Sequence, residues 1–191
     1  MIRALKITCT ITLLFLLTAC VSRYSTSQYG NKVVLKDNEM QQELTTITKG
    51  ARFLGKIDRP INGIRMKAFV YEKGKDYILV GVTDTQQFME TSMYTQAQDP
   101  NLVKALKIQT TGLDIRNFPY IDRSQGGCAL GLVNAIEFND KMLLAIYLDN
   151  SSLSPSECGT VNDIEGFYGL YPERAERFII KASEAIEITK N

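Results

Sequence analysis

Residues 128–149 read CALGLVNAIEFNDKMLLAIYLD: two nearly continuous apolar runs, Cys128 to Phe138 and Lys141 to Asp149, joined by Asn139 and Asp140. Asparagine and aspartate tolerate the left-handed backbone of a tight turn, so the segment predicts a β-hairpin. Strands with one wet face alternate apolar and polar residues, whereas these runs are apolar almost throughout. That predicts a hairpin at the centre of its sheet, covered on both faces. Upstream, Ile64 to Glu72 and Asp76 to Thr83 are rich in β-branched and aromatic residues and flank Lys73-Gly74-Lys75, which predicts another hairpin. Pro60 and Gly63 mark the loop before it.

At the other end of the chain, Pro172 to Lys190 carries Ala175, Phe178, Ile179, Ala182, Ala185 and Ile186 at helical spacing, with charges between them. Glu173 and Arg177 stand at i, i+4 and support the same reading. The fold class expected is therefore α+β: an antiparallel sheet from two β-hairpins with a long C-terminal helix packed on one face. Two shorter helices are expected as well. Lys36 to Gly50 places Met40, Leu44 and Ile47 on one helical face, with Asp37 as N-cap and Gly50 as stop. Asp99-Pro100, followed by Leu102, Val103, Leu106 and Lys107, predicts a helix that Gly112 ends. Ser151 to Gly159, SSLSPSECG, reads as a turn-rich loop.

The N-terminus carries an address. Arg3 and Lys6 precede thirteen uncharged residues, Ile7 to Ala19, the n-region and h-region of an export signal. The run is shorter than the roughly 20 residues a membrane-spanning helix needs. It ends in Leu17-Thr18-Ala19-Cys20, which resembles the lipobox of bacterial lipoproteins: an aliphatic residue, two small residues, then cysteine. The resemblance covers only this segment. It implies cleavage before Cys20, a thioether-linked diacylglycerol on that thiol, and attachment made permanent by two or three acyl chains. Val21 in place of aspartate implies sorting to the outer membrane. Residues 1–19 are then the signal peptide and 20–31 the lipidated N-terminus. That second segment includes a polar, aperiodic tether, SRYSTSQYGN at Ser22 to Asn31. Residues 32–191 form a single globular domain. Cys9 lies within the apolar run and leaves with the signal.

Loss of residues 1–19 removes Arg3 and Lys6, leaving 20 basic against 21 acidic residues. A chain so nearly neutral, without a basic run, gives no sign of nucleic-acid binding or of electrostatic attraction to lipid. Two cysteines remain besides Cys20: Cys128 and Cys158. A pair in an exported chain predicts a disulfide, and with it an oxidising periplasm and a Gram-negative source. In the chain-entropy model, closing a loop of this length is worth roughly 3 to 4 kcal/mol.

Chemistry is constrained mostly by what is missing. The sequence contains no histidine, which removes Ser-His and Cys-His nucleophile pairs and the HExxH zinc site. It contains no S-x-x-K, P-loop or GxGxxG stretch and no calcium loop, so no cofactor or metal is expected. Carboxylate chemistry stays open, since two acidic side chains suffice to cleave a glycan. Glu137 and Asp149, at the ends of the second hairpin's strands, illustrate such a pair. The other features are aromatic: Tyr120 in RNFPYIDR, and Tyr168 with Tyr171 in GFYGLYP. They suit a protein-binding surface, where tyrosine and arginine carry much of the energy, or else local packing over the sheet. The function expected is a non-enzymatic one. The protein would be an outer-membrane-anchored periplasmic lipoprotein that binds an envelope protein, as an assembly or secretion accessory or an immunity-type inhibitor. The alternative is a carboxylate-dependent cell-wall glycan hydrolase.

Overall fold

The structure is a computed structural model that describes residues 22–61, 64–90, 115–123, 128–161 and 163–191. Along these residues the chain forms β1 (Tyr24–Tyr29), β2 (Lys32–Asp37), β3 (Gln42–Thr48), β4 (Arg52–Ile61), β5 (Ile64–Lys73), β6 (Asp76–Asp84) and helix α1 (Thr85–Met89). It continues with β7 (Ile115–Asp122), β8 (Ala129–Phe138), β9 (Lys141–Asp149), helices α2 (Pro155–Thr160), α3 (Ile164–Leu170) and α4 (Pro172–Ala185), and β10 (Ile186–Lys190). The strands make two antiparallel sheets, one of four strands in the order β1-β2-β3-β10 and one of six in the order β4-β5-β6-β9-β8-β7.

Both expected hairpins form. β8 and β9 pair from Phe138↔Lys141 to Leu130↔Asp149, and Asn139 takes the positive φ of 60° that the tight turn needs. β5 and β6 pair from Lys73↔Asp76 onward, with Gly74 at φ 67°, a conformation glycine adopts without a Cβ penalty. Lying third to fifth in the larger sheet, β6, β9 and β8 are covered on both faces, as their unbroken apolar runs require.

The α+β expectation is overturned: the described residues are mostly β, with two sheets and only short helices among them. Where a long C-terminal helix was expected to form the layer on one face, α4 stops at Ala185 and the chain turns into β10. Ile186 and Ile188 are buried while Glu187 is exposed, and this alternation of β-branched residues wins for the last five positions. Ile186 fits both periods, which is why the helical stripe in the sequence runs one residue past the helix. The helix expected over Lys36 to Gly50 is a hairpin of β2 and β3. Val33 and Leu35 on β2 and Leu44 on β3 face inward at spacing two, leaving Met40 exposed in the turn. Asp37 does capture backbone donors, Glu39 N–H at 2.9 Å and Met40 N–H at 3.1 Å, but to close a turn. The segment read as a flexible tether contains β1, an edge strand paired residue for residue with β2. Edge strands bury little, so polar β1 shows no apolar period. The helix expected from Asp99 to Gly112 lies outside the described residues.

One apolar core fills the space between the sheets. Val33, Leu35, Leu44, Ile186 and Ile188 from the smaller sheet meet Phe69, Tyr71, Ile78, Val80, Leu132 and Tyr147 from the larger one. Phe167, Ala175, Phe178 and Ala182 of α3 and α4 complete it. A separate cluster covers the other face of the larger sheet, with Met66, Leu79, Phe118, Val133, Leu144 and Ile146 among its members; Phe88 of α1 is its one described contributor from outside the sheet.

A polar latch joins the sheets at one end. The buried Asp37 carboxylate accepts from Arg23 at 3.1 Å and from Asn139 Nδ2 at 2.7 Å, while the Tyr24 hydroxyl donates to Asp140. Burial pushes the Asp37 carboxyl up, but the Met40 and Glu39 N–H groups and Arg23 outweigh it and hold it below the usual range. Ser22 enters the fold here, which makes this the entry end. The Gly74-Lys75 turn, the end of β9 and the start of β10 lie at the far end.

Candidate functional site

The far end carries a charged cluster built from three elements. Asp76 opens β6, Tyr147 and Asp149 stand two residues apart near the end of β9, and Lys181 projects from the last turns of α4. Both carboxylates and the tyrosine are buried, while Lys181 is half-exposed. Lys181 Nζ lies 2.7 Å from Asp76 Oδ2 and 3.1 Å from Asp149 Oδ2. The Tyr147 hydroxyl donates to Asp76 Oδ2 at 2.7 Å. Asp149 also accepts from Ser151 N–H (2.8 Å), Ser151 Oγ (2.7 Å) and Ser152 Oγ (2.8 Å). Register explains the meeting: Tyr77 pairs with Leu148, so the neighbouring Asp76 and Asp149 share one edge of the hairpin junction.

The electrostatics follow from those contacts. Burial pushes the Asp149 carboxyl up, but hydrogen bonds from Ser151, Ser152 and Lys181 outweigh it and hold it below the usual carboxylate range. Burial alone would lower Lys181, yet its two carboxylate partners raise it above the ordinary lysine value. Burial, then the bond to Asp76, raises the Tyr147 hydroxyl far above the tyrosine range. A general acid needs a carboxyl raised toward neutrality, and Asp149 is moved the other way. The cluster bridges sheet and helix.

Beside it, a second polar group organises the helices. Arg174 reaches Glu157 at 2.6 Å, donates to the Ser152 carbonyl, and stacks 4.7 Å from the centre of the Tyr171 ring. Glu157 and Ser154 form a capping box at the start of α2, with Pro155 in its first turn. Arg174 first, then the Ser154 donors, draw the Glu157 carboxyl down to about 2. The stretch read as a loop thus contains a short helix, and its signal stands in the sequence as Ser154-Pro155-Ser156-Glu157. Cys158 of α2 is disulfide-bonded to Cys128, the residue before β8, with Cα atoms 5.7 Å apart. Arg123 braces the same corner by donating to the Cys158 carbonyl at 2.8 Å.

The carboxylate pair named from the sequence does not assemble. Glu137 pairs with Met142, so Asp149 lies seven residues farther along β9. That is roughly 23 Å, well beyond the roughly 5 to 10 Å that separates catalytic carboxylates on a glycosidic bond. Nor is Asp149 a solvated strand end: it is buried within the bridge. Tyr120, 7% exposed, packs its ring over Gly131 on the face away from α3 and α4, so it is a packing residue. Tyr168 is half-buried against the core, and burial pushes its hydroxyl well above the ordinary tyrosine range. Tyr171 lies between Phe167, 5.6 Å away, and Arg174. Of the three, Tyr168 and Tyr171 share the α3–α4 corner, where Leu170 is 61% exposed; Ile180, farther along α4, is 49% exposed. No local pattern points to Asp76, Tyr147 and Lys181, because three separate elements bring them together.

Among the described residues no group of three or more histidine, cysteine, aspartate or glutamate side chains could hold a metal ion. No helix among them is long and apolar enough to cross a membrane. No family model matches the chain, and no curated protein or solved structure matches it either.

Proposed function

We propose that the protein is a lipid-anchored lipoprotein of the outer membrane's periplasmic face that binds another envelope protein through its α3–α4 corner. It serves either as an assembly or secretion accessory or as an immunity-type inhibitor. The lipobox-like Leu17-Thr18-Ala19-Cys20 supports the address. The observation that carries the binding role is the exposure of Leu170 beside Tyr171 and Arg174, with Ile180 exposed farther along α4. Ile180 lies eight residues beyond Pro172, about 12 Å along the helix, on the face turned away from the buried Ala175, Phe178 and Ala182. Tyrosine and arginine set beside apolar anchors is the composition of interface hot spots.

A photo-crosslinking residue placed at Ile180 or Tyr171 in cells of the source bacterium should yield a discrete protein adduct, and one placed at Glu137 should not. Leu170→Ser combined with Ile180→Ser should abolish the adduct while the domain stays folded. Glycan cleavage by the purified domain, lost on one isosteric carboxylate change in a folded variant, would overturn the binding role in favour of the hydrolase.

A further inference from the structure

Only Val21 separates Cys20 from Ser22, the first described residue. Two residues of extended chain span at most about 7 Å, so whatever holds Cys20 holds the entry end close to it. Ser22 is itself tied into the fold: its carbonyl accepts from Asn38 Nδ2 at 2.9 Å, and the Arg23 carbonyl accepts from the Asn38 N–H at 2.7 Å. Arg23 reaches Asp37 at 3.1 Å and Glu39 at 3.3 Å. The turn after β2 therefore stands beside the chain's point of entry. The β8–β9 turn joins it through Asn139 and Asp37, and α1 joins through the Thr85 N–H, which the Asp140 carbonyl accepts at 3.2 Å. Lys141 pairs with Asp84 across the same surface.

Two large apolar side chains are exposed at this end: Met40, 55% exposed in the β2–β3 turn, and Met89, 43% exposed at the end of α1. Neither fills a gap in the core. Methionine is flexible and adapts to irregular apolar surroundings. Among the described residues the charges around them are of both signs, Arg23, Lys141 and Lys190 against Glu39, Asp84 and Asp140, and form no basic patch that would draw this end to anionic lipid.

We propose that the entry end is the face that rests on the lipid bilayer, with Met40 and Met89 entering the headgroup boundary. The far end, with α2 to α4 and the Asp76–Tyr147–Asp149–Lys181 bridge, then stands about 30 Å away, the length of nine-residue β9. The proposal rests on lipidation of Cys20, and it presents the α3–α4 corner to partners in the aqueous space.

The test uses the full chain, processed in cells and reconstituted into phosphatidylethanolamine–phosphatidylglycerol vesicles with a nitroxide near the top of the acyl chain. An environment-sensitive fluorophore is attached to Met40→Cys, Met89→Cys or the far-end control Tyr29→Cys. The expected result is loss of most emission at positions 40 and 89 and little loss at position 29. Protein that floats with the vesicles but shows equal quenching at all three positions, or none at 40 and 89, overturns the orientation. Protein that neither incorporates a fatty-acid analogue nor floats, behaving like Cys20→Ser, overturns the lipidation itself and the orientation with it.

Discussion

Lys181 and Asp149 are 32 residues apart in sequence and 3.1 Å apart in space. The helix supplies the cation and the sheet the buried anion, and the same ammonium serves Asp76 at 2.7 Å. Two carboxylates taken out of water depend on one half-exposed lysine, so the three residues fix how α4 seats on β6 and β9.

Lys181→Met should therefore cost about 3 kcal/mol, the low end of what removing one partner of a buried ion pair costs, because the lysine itself is partly exposed. Chemical denaturation of the purified domain measures it. The Lys181→Met/Asp149→Asn double variant should lose less than the two single losses combined, since the residues are in contact. A loss for Lys181→Met of only about 0.5 kcal/mol, typical of an exposed pair, would remove the bridge from the account of stability.

The same bridge sets a pH window. Asp149 is depressed in the fold, so its contribution is present above its unfolded value of about 3.9 and is lost as pH falls through the folded one. Lys181 is raised, so its contribution is present below its unfolded value of about 10.4 and is lost as pH rises through the folded one. Thermal melts across this range should show a plateau between the two limits. Asp149→Asn should be less stable on the plateau and lose less on going to acid than the wild type does. Acid limbs of equal steepness in the two proteins would contradict the assignment.

On the opposite face of the larger sheet, a Cβ on Gly131 would overlap the ring of Tyr120. Gly131→Ala should destabilise the domain by about 1 to 3 kcal/mol, as overpacking of a filled site does. Adding Tyr120→Ala should make the glycine substitution nearly neutral in a double-mutant cycle followed by urea unfolding. Additive losses would mean that the two residues do not share the space.

Much of the larger sheet is legible in the sequence. Asn139-Asp140 and Lys73-Gly74-Lys75 announce tight turns between apolar runs, and hairpin pairing then follows from neighbours in the chain. The Cys128–Cys158 disulfide is legible for a different reason: on the expectation that residues 1–19 are cleaved and Cys20 is lipidated, it is the single pair left. The smaller sheet is not legible. β1 and β10 are edge strands that bury one face or less, so their apolar pattern is weak, and β10 continues a helical stripe by coincidence. Met40, Leu44 and Ile47 satisfy a helical period that the inward-facing Val33, Leu35 and Leu44 override.

What the sequence determined by itself is therefore local: the two hairpins, the helical start at Pro172, and the pairing of Cys128 with Cys158. Each depends on residues a few positions apart, or on there being one choice. Only the tertiary structure decided that a second sheet replaces the long helix, that Tyr120 is buried, that Glu137 and Asp149 lie at opposite ends of a hairpin, and that Asp76, Tyr147, Asp149 and Lys181 meet. Such contacts join residues tens of positions apart. Their free energy comes from removing apolar surface and pairing buried charge across elements, and neither leaves a readable period in the chain.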